Sequence, residues 1–229
     1  MRHSIALMDA ADANTPLDAQ QEHWQRILAS SPDRFGTAAS EPALAAVRAF
    51  RELGARRLLE LGAGQGRDTL FFASHGLEVT ALDYAESATA AISAKLAARG
   101  LSDRVRVLGH DLREPLPFPD GSFDACYSHM LYCMALTEAQ LARLSTEILR
   151  VLRPGGLNVY TARSTSDPDW GQGTHHGENL YESGGFIVHF LSDEAIELLT
   201  EGYELVSVER FEEGPLPRRL VRVTMRRPD

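Results

Sequence analysis

At 229 residues the chain has room for one large domain or two small ones, and 44% hydrophobic against 24% charged residues excludes wholesale disorder. A net charge of -9 argues against tracking nucleic acid by phosphate neutralisation, and no apolar run approaches the ~18 residues that cross a bilayer. The expected partner is therefore a small molecule, with neither nucleic acid nor membrane; the oligomeric state stays open. Cys126 and Cys133 lack CxxC spacing, and the short apolar patch near Met1 is interrupted by Asp9, so no secretory signal is expected and a reduced, cytoplasmic setting is.

Residues 1–16, small and polar up to Pro16, are expected to form a flexible arm. Residues 17–229 are expected to make a single domain, with 17–55 as a helical cover and 164–190 as a lid loop. Trp24, Ile27 and Leu28 predict a short amphipathic helix over 20–29 that stops before Pro32. Glu41-Pro42 opens a second helix, with Leu44, Val47 and Leu53 as its apolar face and Gly54 as its terminator. From Arg56 short apolar strands alternate with helices, as in a parallel sheet with crossovers. The predicted strands are 58–61, 77–82, 105–108, 123–128 and 157–162. The helices between them carry Leu70, Phe71 and Phe72, then Ala88, Ile92 and Leu96, then Leu141, Leu144, Ile148 and Val151. Thr137 and Gln140 form a capping box ahead of the third, with Leu136 and Leu141 as a hydrophobic staple. Pro154-Gly155-Gly156 ends that helix and starts the fifth strand. Residues 164–190 contain five glycines without periodicity and read as a functional loop. A last helix starts at Ser192 and ends at Gly202, and 203–211 with 219–225 alternate as an antiparallel hairpin through Gly214-Pro215.

The chemistry concentrates in Glu60-Leu61-Gly62-Ala63-Gly64-Gln65-Gly66, between the first strand and its helix, where glycines let the backbone approach a ligand closely. A dinucleotide fingerprint needs GxGxxG, but Arg67 holds its last position and Gly66 comes one residue early. Asp83 ends the second strand 21 residues after Gly62, where an acid accepts hydrogen bonds from both ribose hydroxyls. Glu60 would repel a pyrophosphate and attract a cationic amino group. An ordinary βα turn with helix-capping acids is the plain alternative.

Together with His110-Asp111-Leu112 and Arg150-Val151-Leu152-Arg153-Pro154-Gly155-Gly156, these residues resemble the class I S-adenosylmethionine-dependent methyltransferases of small-molecule type, from about Arg56 onward. The resemblance implies an α/β, Rossmann-like, doubly wound seven-stranded sheet, mostly parallel with an antiparallel C-terminal hairpin strand, and S-adenosyl-L-methionine as cofactor. It assigns Glu60, Gly62, Ala63, Gly64 and Gly66 to the methionine moiety, Asp83 to the ribose, Asp111 and Leu112 to the adenine, and Ser128 to the cofactor's edge, with Tyr84 as a further cofactor-binding candidate. Arg67 and Asp68 resemble part of the Gly-Arg-Asn of tellurite-resistance and thiopurine methyltransferases, which would turn Arg67 toward the cofactor carboxylate.

A sulfonium cofactor supplies its own leaving group, so methyl transfer is an in-line displacement in which the protein mainly aligns the reactants. The tellurite and thiopurine likeness points to a soft sulfur, selenium, tellurium or arsenic acceptor. The alternative is O- or N-methylation with His129 as base. His129 and Tyr132, just after the fourth strand, are the catalytic candidates, although a histidine there also serves as a packing residue. Cys126 reads as a buried hydrophobe, Cys133 as a substrate-site residue that could be a reactive thiol, and Met130 and Met134 as pocket lining. Trp170, His175, His176, Tyr181 and His189 are the substrate and lid candidates. With Glu178 the histidines offer metal-ligand chemistry, but adjacent histidines share no helix face and no metal is expected. An NAD-dependent oxidoreductase and a non-catalytic cofactor-binding protein are the competing classes.

Overall fold

The computed structural model describes residues 16–31, 33–214 and 218–229, so nearly all of the expected N-terminal arm and the tip of the last hairpin lie outside the described residues. The elements in chain order are α1 Ala19–Ser30, α2 Glu41–Glu52, β1 Arg57–Leu61, α3 Arg67–Ser74, β2 Glu78–Asp83, α4 Glu86–Arg99, β3 Val105–Gly109 and β4 Phe123–Ser128. They continue as α5 Glu138–Val151, β5 Leu152–Arg163, β6 Thr174–His175, β7 Leu180–Ser183, β8 Phe186–His189, α6 Asp193–Leu199, β9 Glu204–Glu213 and β10 Arg218–Arg226. Seven strands form one sheet in the order β3-β2-β1-β4-β5-β10-β9. The first five run parallel, and β10 is antiparallel to both β5 and β9. The order reverses between β1 and β4, and a ligand crevice opens at such a switch point, beyond the carboxyl ends of the strands.

Alternation along the strands builds two cores. Leu58, Ala125, Tyr127, Leu157 and Val159 face α2, α3 and α4. Leu59, Leu61, Cys126, Tyr160 and Ala162 face α5 and α6. A strand's side chains have a period of two, so each central strand feeds both layers and must be apolar nearly throughout. Helix α5 is built as its spacing predicts. Leu141, Leu144, Ile148 and Val151 are buried, and the Thr137 and Gln140 side chains exchange bonds with each other's backbone N–H. Gly100, in the left-handed region at φ 64°, ends α4.

Four local expectations are corrected. In α2 the buried face is Ala43, Ala46, Val47 and Phe50, and Leu44 is exposed. Ser40 caps the helix by accepting from Ala43 N while its hydroxyl bonds Asp68, which fixes the helix's rotation and lets small alanines approach α3 and the sheet. The fifth strand starts at Leu152, directly after α5, so Pro154-Gly155-Gly156 lies inside it at a register shift against β4. A Cβ at Gly156 would sit 2.8 Å from Arg153 O and 3.0 Å from Asp124 O, which explains the glycine there. The segment 164–190 is no structureless loop: β6, β7 and β8 form a three-stranded antiparallel sheet. Gly184 and Gly185, at φ 60° and 83°, make the two-residue turn between β7 and β8. The last helix ends at Leu199, short of Gly202. Among the described residues no helix is long and apolar enough to cross a membrane.

Candidate active site

A cavity of about 680 Å³ opens at the carboxyl ends of β1, β2 and β4. Its floor is the loop after β1. Gly62, Gly64 and Gly66 all take positive φ, at 66°, 53° and 82°, which bends the chain sharply into α3. A Cβ at Gly62 would meet Leu131 at 3.1 Å, and one at Gly66 would meet Ile92 at 2.8 Å. Gly64 N donates to Asp83 Oδ2 at 2.8 Å and Ala85 N donates to Asp83 Oδ1 at 2.9 Å, so the acid ending β2 is locked against the glycine loop. Burial raises the Asp83 carboxyl above its ordinary range, and the bonds from Ala85 and Gly64 counter that.

Glu60 is buried on the wall of this cavity, and its Oε2 has no hydrogen-bond partner among the described residues. Burial first, then the Asp68 charge, pushes its carboxyl well above the usual range. Asp68 is itself satisfied, accepting from Ser40 N at 2.8 Å, Ser40 Oγ at 2.7 Å and Tyr127 Oη at 3.1 Å. Thr69 offers Glu60 a side-chain hydrogen bond, yet Oε2 is left without a partner, a costly arrangement unless a donor or cation enters the cavity.

Further along the wall, Asp111 accepts from Arg113 Nε, Nη2 and backbone N, and these contacts hold its carboxyl below the usual range against partial burial. Arg113 also pairs with Asp18 at the start of the N-terminal segment. Tyr84 and Leu112 lie beside them. Arg67 lines the cavity and donates to Phe35 O at 2.8 Å.

The roof has two pieces. From α1 and the segment after it come Trp24, Leu28 and Phe35; from the small sheet come Tyr181, Phe186, Ile187 and Val188. Trp24 packs on Phe186 with ring centroids 5.1 Å apart. Gln20 joins the pieces, donating to Gly185 O at 3.1 Å and accepting from Ile187 N at 3.2 Å. Gln65 pins the roof to the glycine loop, donating to Leu28 O and Ser31 O and accepting from Arg34 N. None of the wall comes from α2, which packs in the core layer with α3.

The far wall carries His129, Met130, Cys133, Met134, Arg163 and Glu213. His129 Nδ1 lies 2.8 Å from Thr161 Oγ1, and its Nε2 lies 3.4 Å from Glu213 Oε2. Met130, at φ 64°, donates its N–H to the same Thr161 oxygen at 2.9 Å. Cys133 is buried, and burial pushes its thiol up to about 11, so it is no thiolate at neutral pH.

The structure brings Glu60, Gly62, Ala63, Gly64, Arg67, Asp83, Tyr84, Asp111, Leu112, His129, Cys133 and Tyr181 to one cavity, from positions spread over four strand ends and the small sheet. It leaves others off the wall. Tyr132 is corrected: it is fully buried, stacked on Tyr160 at 3.9 Å, with its hydroxyl 3.5 Å from Asn158 Nδ2. Ser128 is fully buried at the end of β4, and Gly66 serves the packing of α3 on α4. Trp170 is exposed and donates to Asn179 Oδ1; His175 bonds Glu178 O; His176 pairs with Glu182 at 2.8 Å. His189 is fully buried with Nδ1 on Leu136 O. Trp170, His175 and His176 bond to neighbours in the 174–189 segment, while Ser128 and His189 are enclosed in the core with the Ser128 hydroxyl and His189 Nε2 unpartnered among the described residues. Among the described residues no group of three or more His, Cys, Asp or Glu is arranged to hold a metal ion. Sequence reasoning missed Gln20, Gln65, Trp24, Phe35, Phe186 and Glu213. Gly-Gly between two β-prone runs was the available signal for the hairpin that carries Phe186.

A methyltransferase-domain family model matches residues 58–156, which span β1 through the start of β5. Over 158 residues, 66% of the chain, it is 32% identical to sterol 4-C-methyltransferase strm-1 of Caenorhabditis elegans. Residues 58–156, the stretch that carries the glycine loop, Asp83 and Asp111, are thus similar to a methyltransferase domain. The chain is also 34% identical over 123 residues, 53% of its length, to demethylmenaquinone methyltransferase of Clavibacter sepedonicus. The chain spans less than half the length of these two methyltransferases, 45% and 47%. In fold it is similar to the Burkholderia thailandensis 1,6-didemethyltoxoflavin-N1-methyltransferase, solved with 1,6-didemethyltoxoflavin and S-adenosylhomocysteine bound. That likeness has a TM-score of 0.72 and 23% identity, and it covers 99% of each chain.

The Burkholderia enzyme was solved with S-adenosylhomocysteine, and the residues present here fit S-adenosyl-L-methionine. The unpartnered buried Glu60 oxygen suits a cationic amine. A Cβ at Gly62 would crowd Leu131 at 3.1 Å, Gly64 leaves the space above it open, and Asp83 keeps lone pairs beyond its bonds from Gly64 and Ala85 for hydroxyl donors.

Proposed function

We propose that this protein binds S-adenosylmethionine in the cavity and transfers its methyl group to a small organic acceptor held beneath the aromatic roof. The observation that carries the reading is the unpartnered, buried carboxylate oxygen of Glu60 beside the left-handed glycine turn, with Asp83 locked onto that turn. In this reading Glu60, the Gly62–Gly64 backbone and Arg67 take the methionine end. Asp83 and Tyr84 take the ribose, and Asp111 with Leu112 takes the adenine. Gly66 sets the entry into α3 by close packing, and Ser128 supports the end of β4 from below.

When bound, the cofactor supplies an electrophilic methyl on a good leaving group. The chain's own work is to hold the acceptor in line, exclude water and receive a proton where one is released. A cavity of about 680 Å³ lies in the upper half of the ~300–1,000 Å³ range of ligand pockets, enough for a nucleoside cofactor and a compact second molecule. The roof of Trp24, Phe35, Tyr181 and Phe186 favours an acceptor with an apolar, flat body over a metalloid oxyanion. The small sheet of 174–189 and α1, latched through Gln20, act as the cover. A labelled-methyl assay over phenols, heteroaromatic amines, thiols and metalloid oxyanions tests the reading: incorporation into an organic acceptor supports it, and transfer to tellurite or arsenite alone overturns the acceptor class.

A further inference from the structure

We propose that Glu213, at the end of β9, is the residue that contacts the acceptor and selects a nucleophile bearing an N–H or O–H, with His129 as the residue that positions it. This rests on the methyl-transfer reading of the cavity.

The argument begins at Thr161. Its side chain is fully buried on β5, and its Oγ1 accepts from Met130 N. A buried hydroxyl proton needs an acceptor, and the one within reach is His129 Nδ1 at 2.8 Å. The neutral ring then carries its proton on Nε2, which points toward Glu213 Oε2 at 3.4 Å. Neither nitrogen of His129 keeps a free lone pair for an acceptor. The expectation that His129 is the base is therefore replaced: the basic lone pairs on this wall belong to the Glu213 carboxylate.

Glu213 stands on the cavity wall, half-buried. The charged and titratable groups facing it are His129 after β4, Arg67 on α3 and Arg218, which is paired with it in register across β10. His129 first, then Arg67 and Arg218, hold its carboxyl below the ordinary range, so it is ionised at neutral pH. The turn it faces is itself strained, because Met130 adopts positive φ without being glycine, and Thr161 holds that turn and the His129 ring together.

An ionised carboxylate on the wall accepts a hydrogen bond from X–H, where X is nitrogen or oxygen, and so orients the lone pair of X. As the C–X bond forms, the C–S bond breaks with its electron pair remaining on sulfur. The proton on X passes to Glu213 and from there to solvent. The same charge repels a thiolate or an oxyanion, so it discriminates against soft anionic acceptors by its sign.

The test is Glu213→Gln, which keeps size and removes the charge. Binding of S-adenosylhomocysteine by calorimetry is expected to stay within about twofold of the parent protein. Turnover with an N–H or O–H acceptor is expected to fall about 100-fold, the lower end of what a positioned proton acceptor contributes. At saturating cofactor, the acidic limb of the parent's kcat profile, where activity is lost as pH falls through the lowered carboxyl range, is expected to vanish in the variant. Nitrogen NMR of the unliganded parent is expected to show His129 with its proton on Nε2. Full turnover in the variant, an unchanged acidic limb or an Nδ1–H ring would each overturn the proposal. Failure of the parent to bind S-adenosylhomocysteine would instead overturn the methyl-transfer reading on which it rests.

Discussion

Replacing Glu60 by Gln separates binding from stability, because the two should move in opposite directions. In the folded chain the carboxyl is raised by burial and by Asp68 above its unfolded value, so the ionised form is disfavoured by folding. The sign follows: the destabilisation is absent below the ordinary carboxylate range and grows as pH rises from there through the raised value. Glu60→Gln should therefore unfold at a higher temperature than the parent at pH 8, each 1 kcal/mol being worth ~2–4 °C for a chain of this size. The advantage should shrink toward zero at pH 4. Against S-adenosylhomocysteine the same change removes a charge-assisted hydrogen bond of about 1.5–3 kcal/mol, or roughly 10- to 150-fold in affinity. Calorimetric titration measures the second effect and thermal denaturation at the two pH values the first. Pairing with a cationic amine also ionises Glu60, so the parent should release a proton on binding and the variant should not. A variant that binds as tightly as the parent would refute the assignment of Glu60 to the amine.

Gln20→Ala cuts both bonds that join α1 to the β7–β8 turn, together worth about 1–3 kcal/mol. It should raise the acceptor KM several-fold while S-adenosylhomocysteine affinity stays within about twofold; an unchanged acceptor KM would show that the roof does not form part of the acceptor site. Tyr132→Phe removes a hydroxyl held weakly by Asn158 at 3.5 Å and by Ser145, in a stacked and fully buried pair. It should leave kcat/KM intact and cost less than about 1 kcal/mol of stability, and a large loss of kcat would restore Tyr132 as a catalytic candidate.

The sheet was legible because central strands buried on both faces read as short apolar runs, and because the capping box at Thr137 and the glycine after Arg99 mark helix ends by local chemistry. Half of the cavity was legible for the same reason. Glu60, the glycines and Asp83 are set by β1, β2 and the turn between them, and 21 residues fix their mutual position. The other half is assembled by contacts that periodicity does not encode. Gln20 meets a hairpin 165 residues away, and Glu213 meets His129 through the closure of the last hairpin onto β5. His189 and Tyr132 carry polar atoms that suggest chemistry, yet burial satisfies or hides them in the core. The glycine pair at 184–185 carried a turn signal that the glycine-rich character of its surroundings obscured.

The central claim is that the cavity is built for S-adenosylmethionine rather than for a nicotinamide dinucleotide. Parallel calorimetric titrations of the protein with S-adenosylhomocysteine and with NADH test it most directly. The account predicts one molecule of S-adenosylhomocysteine bound per chain, weakened by Asp83→Ala, and no heat of binding for NADH. Tight binding of NADH with none for S-adenosylhomocysteine would contradict it.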